Sequence, residues 1–347
     1  MIRFSHWEYW SSTIIYLPLM PVLFYRMAKA RSMFVFNAVN PGIENGGFTM
    51  ESKWKIQDTI NSDLFPKTFL ISPDDSFNSF LPKVKSNFNF PVITKPDIGG
   101  KGRGVVIIEN VEDLENYHQN CPIPYLIQEK INYPLEIGIF YARMPYEVTG
   151  KITGIVQKEF IKLIGDGSSS VLQLIESNSR YYLQSEILRD LLSAEFINRI
   201  PVKGEIVSVL DIGNHARGSM FLDVSDRSTK ALTTVMDELA GKFEGFYFGR
   251  FDIRFQSWEE LEKGERFSVI ELNGSGSEPT HIYDSAHSIF HAWKVILIHW
   301  KLLFKIGQIN NERGIEYMNF TSGMNMLFAH RKVMKSLDNF KFRKLKS

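Results

Sequence analysis

The sequence lacks several features that would direct a first interpretation, among them cysteine pairs, a dominant charge and a secretory cleavage pattern. A single cysteine, Cys121, excludes an intrachain disulfide framework and fits a reducing compartment. Lys and Arg number 40 against 39 Asp and Glu, so a net charge of +1 gives no reason to expect nucleic acid as a partner. These absences favour a folded cytoplasmic protein that binds no nucleic acid.

Between its two ends, the sequence alternates strand-like and helix-like patterns. Hydrophobic residues make up 44% and charged residues 23% of the 347 positions, which is ordinary for a folded chain with a substantial core. The alternation predicts a mixed α+β fold. Predicted strands include "SMFVFNAV" (32–39), "KTFLIS" (67–72), "FPVITK" (90–95), "GVVIIE" (104–109) and "YLIQEKI" (125–131), followed by a late hairpin of "YFGRFDIRFQ" and "RFSVIELNG".

Both ends are unusually apolar. The segment "YWSSTIIYLPLMPVLFY" (9–25) carries no charge and has the minimum length for crossing a bilayer, but its two prolines disturb a continuous helix. Near the other end, "AHSIFHAWKVILIHWKLLFKIG" (286–307) predicts an apolar helix with a thin polar seam, whose histidines we interpret as solvated or satisfied in the core. Each end packs on the protein's own core or contacts a membrane surface, and both interpretations stay open.

A glycine-rich loop lies between two strand-like runs in "FPVITKPDIGGKGRGVVII" (90–108). Backbone amides of such a loop can converge on phosphate oxygens, and Lys95 on the first run would add a positive charge. The spacing differs from a Walker A loop, a dinucleotide fingerprint and a protein-kinase loop. Phosphate binding and an ordinary flexible hairpin therefore remain alternatives for Gly99, Gly100, Lys101, Gly102, Arg103 and Gly104.

A second group of polar residues lies on the predicted late hairpin. Alternation places Arg250, Asp252 and Arg254 on one face of the first strand, and Glu271 and Asn273 share a face of the second. Two carboxylates and an amide oxygen suit a hard cation that also takes nucleotide phosphates. Surface ion pairs with the arginines are the alternative, although an unpaired Glu271 within "SVIELNG" would be costly.

The order of these motifs, with "QEK" between them, resembles the ATP-grasp superfamily. Within it, the sequence is similar to D-alanine–D-alanine ligase and to cyanophycin synthetase-like carboxylate–amine ligases, over roughly Lys67 to Asp284. The resemblance implies an α+β fold of two subdomains that grip ATP. Here that fold would carry a reduced N-terminal α/β domain and hydrophobic helical segments at both ends. The implied divisions are 1–31 (hydrophobic segment), 32–88 (reduced α/β region), 89–284 (catalytic region) and 285–347 (amphipathic, basic C-terminal helices).

The resemblance also implies roles for individual residues. Lys95 would contact the α-phosphate side of ATP, with the glycine-rich loop as a lid, and Glu136 would bind the ribose. Arg250 would face the reacting carboxyl group. In the turn near the phosphates, His215 and Arg217 depart from the small residues common in the family. The hinge beside the adenine would be Gln128, Glu129, Lys130 and Ile131, and the ligands of Mg²⁺, or of Mn²⁺ in its place, would be Asp252, Glu271 and Asn273.

The implied activity is ATP- and Mg²⁺-dependent ligation. The enzyme would activate a carboxylate as an acylphosphate and join it to an amine, the substrates being small or amphiphilic molecules. The expected location is cytoplasmic, and it would be peripheral on the inner face of the membrane if the apolar ends contact lipid. A homodimer is left open. A catalytically inactive nucleotide-binding scaffold and a phosphotransferase acting on a hydroxyl are the alternatives.

Overall fold

The computed structural model describes residues 6–340 and 342, except 61–62, 160, 183–184, 186–187, 190–191 and 210–218. Its strands are β1 (Thr68–Ile71), β2 (Val92–Pro96), β3 (Val106–Ile108), β4 (Tyr125–Glu129), β5 (Leu135–Ala142), β6 (Lys151–Glu159), β7 (Lys162–Ile164), β8 (Ile206–Ser208), β9 (Met220–Asp223), β10 (Phe248–Phe255) and β11 (Phe267–Asn273). Its α-helices are α1 (Ser12–Tyr16), α2 (Met20–Ala30), α3 (Lys53–Asp58), α4 (Phe77–Asn87), α5 (Val111–Asn120), α6 (Val171–Ser177), α7 (Ser179–Tyr182), α8 (Ala194–Asn198), α9 (Lys230–Gly241), α10 (Trp258–Glu262), α11 (Ile289–Glu312) and α12 (Phe320–Asn339). The α+β class predicted from the sequence is confirmed.

The first sheet has four antiparallel strands in the order β1-β4-β2-β3. Helices α4 and α5 cover one face, where Val84, Leu114 and Tyr117 join a buried cluster with Val92 and Ile108. Because side chains alternate along β2, the residues next to Val92 in sequence point to the opposite face. That face, which includes Lys95, is not covered by α4 and α5.

The second sheet has five antiparallel strands in the order β11-β10-β5-β6-β9. The apolar face of β10 carries Phe251, Ile253 and Phe255, which pack on α9 through Leu232 and Met236. The other face carries the alternating charged residues. Strands β10 and β11 form the predicted hairpin, in which Asp252 is paired with Glu271, and a register shift follows at once between Asp252 and Ile253.

The strand predicted at 32–39 is wrong. These residues form irregular backbone and a 3-10 turn, Phe36–Ala38, and the fully buried Val35 and Val39 pack on α11 beside Phe304. An apolar, β-branched run predicts burial, and here the burial comes from a helix instead of a neighbouring strand. Among the described residues of 32–88, one strand is present, β1, and it pairs with β4 of the first sheet.

The apolar ends pack against each other. Helices α1 and α2 lie along α11, and the Trp293 Nε1 group donates a hydrogen bond of 2.9 Å to the Ile15 carbonyl. Upstream of α1, the Trp7 Nε1 group donates to the His287 carbonyl at 2.7 Å. Among the described residues, no helix combines the length and the apolar character needed to cross a membrane. One face of each apolar segment thus packs on protein, as the two tryptophan hydrogen bonds show.

Candidate active site

A cleft of about 560 Å³ separates the polar faces of the two sheets. Lys95 on β2 spans it, because its Nζ donates a hydrogen bond of 3.0 Å to the Ile270 carbonyl on β11. Among the described residues that line the cleft, eight side chains are cationic and six are anionic. The excess of positive charge, concentrated around a lysine that reaches across the cleft, suits an anionic ligand.

Lys95 is almost fully buried. Burial lowers the pKa of its ammonium group from 10.5 to about 8, although Glu271 opposes the shift. The cause is desolvation, which disfavours the charged form in a site that excludes water. A ligand phosphate beside this side chain would favour its charged form, which burial disfavours, so Lys95 would gain from binding an anion.

Asp252 lies between two cations on the opposite wall. Arg250 holds its carboxylate by two hydrogen bonds, Nε to Oδ1 at 2.9 Å and Nη2 to Oδ2 at 3.1 Å, and Lys158 Nζ lies 3.6 Å from Oδ1. Burial raises the pKa of Asp252, but Arg250 and Lys158 outweigh it and hold that pKa below its ordinary value. Asp252 is therefore an ionised carboxylate in a buried charge network.

Glu271 and Asn273 complete a set of oxygen donors with Asp252. Asn273 Nδ2 donates to Asp252 Oδ2 at 3.4 Å, which leaves the amide oxygen of Asn273 as an acceptor. Glu271 Oε1 lies 3.7 Å from Lys53 Nζ, and the Glu271 side chain is 28% exposed. Lys95 and Arg250 also interact electrostatically with this carboxylate. Hard oxygen donors on adjacent strands fit Mg²⁺, which keeps several waters and needs only one or two protein carboxylates. The residues present therefore fit the metal that the sequence predicts.

The predicted ribose-binding Glu136 is also held between two cations. Its Oε1 accepts from Lys158 Nζ at 2.9 Å and its Oε2 accepts from Arg254 Nε at 3.0 Å. Arg254 further donates to the Ile131 carbonyl at 3.0 Å, which ties the predicted hinge to β10. The hinge residues Gln128, Glu129, Lys130 and Ile131 all line the cleft. The network thus extends from Asp252 to the hinge.

The predicted lid is the loop between β2 and β3. Its backbone is left-handed at Lys101 (φ 56°), Gly102 (φ 70°) and Gly104 (φ 67°). A Cβ on Gly104 would lie 2.7 Å from Pro96 Cγ, so glycine is required there for close packing as well as for conformation. Arg103 donates to Asp338 at the end of α12, so the C-terminal helix contacts the lid.

Most of the predicted site residues meet in this cleft, and some do not. Lys95, the hinge, Glu136, Arg250 and the three oxygen donors all line it, together with the lid from Gly99 to Arg103. His215 and Arg217 lie outside the described residues. His281, between the lining residues Thr280 and Tyr283, does not line the cleft itself: it is 5% exposed and its ring packs against Gly154.

Sequence reasoning missed Lys53 and Lys158. Lys158 is on β6, one position from the pairing of Ile137 with Gln157, which brings it beside Glu136. Alternation along β6 puts Lys158 on the same face as the apolar Val156, so the local pattern does not indicate a site residue. Lys53 bonds the carbonyls of Asp97 (3.2 Å) and Gly99 (2.9 Å) from a distant helix. No local pattern predicts such a contact.

His287 and His299 have hydrogen-bond partners, whereas His291 Nε2 is buried without one among the described residues. Asp223, His287 and His291 place three potential metal-ligand atoms within 4.8 Å of one another. His299 lies in the core, with Nε2 2.9 Å from Thr153 Oγ1 and Nδ1 2.8 Å from the Val295 carbonyl. His287 Nε2 is 2.8 Å from Asp223 Oδ2, and its ring stacks on His291 at 3.9 Å. These contacts lie outside the cleft.

Comparison with known proteins gives matches among solved structures. No protein-family model and no curated protein sequence matches the chain. A D-alanine–D-alanine ligase from Bacillus anthracis aligns with 81% of this chain and 71% of its own, at 11% identity and a TM-score of 0.40. A D-Ala:D-Ser ligase from Enterococcus faecalis aligns with 78% of this chain and 64% of its own, at 12% identity and a TM-score of 0.43. A bifunctional glutathione synthetase from Pasteurella multocida aligns with 70% of this chain and 35% of its own, at 16% identity and a TM-score of 0.37.

The chain spans 35% of the length of the glutathione synthetase and 64% of the length of the D-Ala:D-Ser ligase. Identities of 11–16% and TM-scores of 0.37–0.43 transfer no substrate and no residue role. The proposals that follow rest on the cleft of this chain.

Proposed function

We propose that the protein is an ATP-dependent ligase that activates a carboxylate as an acylphosphate and joins it to an amine. The observation that supports this most directly is the position of Lys95. Its ammonium group reaches from the first sheet to the β11 backbone, beside the oxygen donors of the hairpin. A polyphosphate lying along the cleft would meet a lysine on one wall and cation ligands on the other.

The first step is phosphoryl transfer. A carboxylate oxygen of the donor attacks the γ-phosphorus of ATP, the bond to the β–γ bridging oxygen breaks, and ADP leaves. Lys95 and the lid position the phosphates and exclude water, which protects the acylphosphate from hydrolysis. Mg²⁺, when bound at Asp252, Glu271 and Asn273, supplies neutralisation of the phosphate charge that develops during transfer.

The second step forms the carbon–nitrogen bond. The nitrogen lone pair attacks the acyl carbon, the carbon–oxygen bond to phosphate breaks, and phosphate leaves. Arg250 lines the cleft at this end and is anchored by Asp252 and by the Glu278 carbonyl, 3.1 Å from Nη1. A fixed guanidinium can stabilise the oxyanion of the tetrahedral intermediate without reorganising. No covalent enzyme intermediate is required.

The test is ADP release from wild type and Glu271→Gln across libraries of acids and amines, with product analysis. Glu271→Gln removes the more exposed carboxylate of the donor set, so we expect folding to persist and turnover to fall by about 10²-fold or more. Glu260→Gln, in a surface pair with Arg266, is the matched control and should leave turnover unchanged. Turnover that survives Glu271→Gln would contradict the magnesium assignment.

Two other outcomes distinguish the alternatives. Phosphate recovered on the substrate, with no free phosphate, would identify a phosphotransferase acting on a hydroxyl. Nucleotide binding without ADP release across the libraries would identify an inactive scaffold.

We further propose that the ends hold the enzyme at an anionic membrane surface. The 3-10 turn between α1 and α2 presents Leu17 at 66% exposure, and α2 presents Phe24 and Tyr25 at 55% and 67%. On α11, Phe290 and Ile298 are exposed together with Lys294, Lys301 and Lys305. Apolar side chains beside lysines suit insertion between anionic headgroups.

Flotation with liposomes tests this proposal. Wild type should float with vesicles of phosphatidylglycerol and phosphatidylcholine and should float less at high salt. Leu17→Glu with Phe24→Glu should remain at the bottom, and Tyr146→Glu, an exposed residue elsewhere, is the control. Wild type that does not float with anionic vesicles would contradict membrane docking and leave the ligase proposal intact.

A further inference from the structure

A carboxylate that the sequence motifs do not include, Glu278, lines the cleft beside Arg250. Its main chain is fixed there, because the Glu278 carbonyl accepts from Arg250 Nη1 at 3.1 Å. The carboxylate lies in the segment "GSGSEPTHIYD", which follows the oxygen donors of β11. It is therefore placed next to the guanidinium assigned to the acyl oxyanion.

Two tyrosines hold this carboxylate. Tyr16 donates its hydroxyl hydrogen to Glu278 Oε1 at 2.6 Å, and Tyr283 donates to Oε2 at 3.3 Å. Burial and the nearby Glu278 raise the pKa of both phenols well above the ordinary value, so both remain neutral donors. A carboxylate accepts about four hydrogen bonds, so each oxygen keeps capacity for a ligand.

The surroundings of Glu278 are aromatic. Trp10, Phe221 and Tyr283 line the same part of the cleft, and Tyr283 is fixed by stacking on Trp7 at 5.8 Å. Thr280 Oγ1 also lines the cleft, is buried and has no hydrogen-bond partner among the described residues. A buried hydroxyl without a partner is a feature that a polar ligand group can satisfy.

We propose that Glu278 is the amine-recognition group of the acceptor subsite, and that the acceptor is a primary amine carrying an apolar or aromatic group. The ammonium form pairs with the Glu278 carboxylate, while Trp10 and Phe221 contact the apolar part. This inference rests on the proposed ligase function and names the acceptor class for it. It also gives the N-terminal segment a role in the site, since Tyr16 and Trp10 belong to that segment.

The proton balance of the acceptor step follows from this arrangement. The bound ammonium transfers one proton to Glu278, giving a carboxylic acid and a neutral amine. The amine attacks the acyl carbon, the carbon–oxygen bond breaks, and the departing phosphate takes the second proton from nitrogen. Glu278 then returns its proton to solvent, so the site is restored without a further reactant.

Hydroxylamine separates this inference from the proposed function. It is a small nucleophile that is already neutral near pH 7, so it needs neither the carboxylate nor the aromatic walls. Wild type supplied with ATP, the acid library and hydroxylamine should form a hydroxamate. Glu278→Gln should form it at a rate within about twofold of wild type, since acylphosphate formation does not use Glu278.

Amines give the opposite result. With phenethylamine or octylamine as the probe, Glu278→Gln should raise the amine KM and lower amide formation by about 10²-fold. As the pH changes, the rate of the variant should follow only the fraction of free amine, whereas the rate of wild type should not. Glu278→Asp, which keeps the charge, should restore part of the rate, and Glu260→Gln should match wild type.

Tyr283→Phe, which removes one donor to the same carboxylate, should raise the amine KM in the same direction and serves if Glu278→Gln does not fold. Hydroxamate formation together with an unchanged amine KM and pH profile in Glu278→Gln would overturn the inference and leave the ligase function intact. Absence of hydroxamate from wild type with every acid would overturn the ligase function, and the inference with it.

Discussion

The two walls of the cleft differ in how their buried charges are paired. On the first sheet, Lys95 is buried and faces a carbonyl, and its charge is destabilised by burial. On the second sheet, the buried charges are compensated, because Asp252 and Glu136 share Lys158 and each has an arginine of its own. The first wall therefore gains from an incoming anion, whereas the second is already complete without one.

This difference separates binding from stability. A charge that is unfavourable in the free protein and favourable with ligand contributes to affinity. A charge held in a closed network contributes to a fixed geometry, and removing one member leaves its partners buried and unpaired. Substitutions on the second wall should thus affect folding, and those on the first wall should affect activity alone.

The largest effect is expected from Asp252→Asn. It leaves Arg250 and Lys158 with an uncompensated buried charge, which should lower the free energy of unfolding by about 3–5 kcal/mol and abolish turnover. Urea unfolding of Asp252→Asn beside Glu271→Gln measures this. Glu271 is partly exposed and its Oε1 lies 3.7 Å from Lys53 Nζ, so its variant should lose less free energy of unfolding than Asp252→Asn. Equal losses in the free energy of unfolding from both variants would show that Glu271 belongs to the same buried charge network as Asp252.

Lys95→Met should affect activity and spare the fold. Methionine fills the space without a buried charge, so the free energy of unfolding at pH 7 should be unchanged or higher. ADP release should fall by about 10²–10³-fold, because a fixed cation at the phosphates is lost. Thermal unfolding and turnover of the same preparation provide the test. A marked loss of stability would show that Lys95 belongs to the structural network after all.

The pH dependence of the wild type sharpens the same contrast. The pKa of Lys95 is lowered by burial from 10.5 to about 8 in the folded chain. Between these two pH values the unfolded chain binds more protons at Lys95 than the folded chain does. The contribution of Lys95 to the free energy of unfolding therefore rises with pH over that range. Nucleotide affinity should fall over the same range as the charge is lost. Chemical unfolding and ATP binding at several pH values should show both trends in wild type and neither in Lys95→Met.

The smallest effect is expected at the lid. Arg103 and Asp338 form a partly exposed pair, which is worth about 0–1 kcal/mol. Asp338→Asn should change the ATP KM by less than about threefold and leave unfolding unchanged. Steady-state kinetics over a range of ATP concentrations measures it. A larger effect would mean that α12 controls closure of the lid.

Local patterns predicted much of this molecule. Alternation in "GRFDIRF" and "FSVIELNG" correctly separated the core face from the charged face, because a strand has a period of two residues. The strand at 32–39 was wrong because apolar content predicts burial without its partner. Glu278 was not identified at all, since its significance comes from Tyr16, 262 positions away, and from Arg250.

By itself, the sequence determined the class of fold, the faces of the strands and the order of the lysine, loop and oxygen donors. These properties depend on side-chain periodicity and on backbone freedom at glycine, which act over a few residues. The tertiary structure alone decided which charges pair, that Lys158 joins Asp252 to Glu136, and that the N-terminal segment forms part of the cleft. Electrostatic pairing depends on distance in space, and distance in sequence does not predict it.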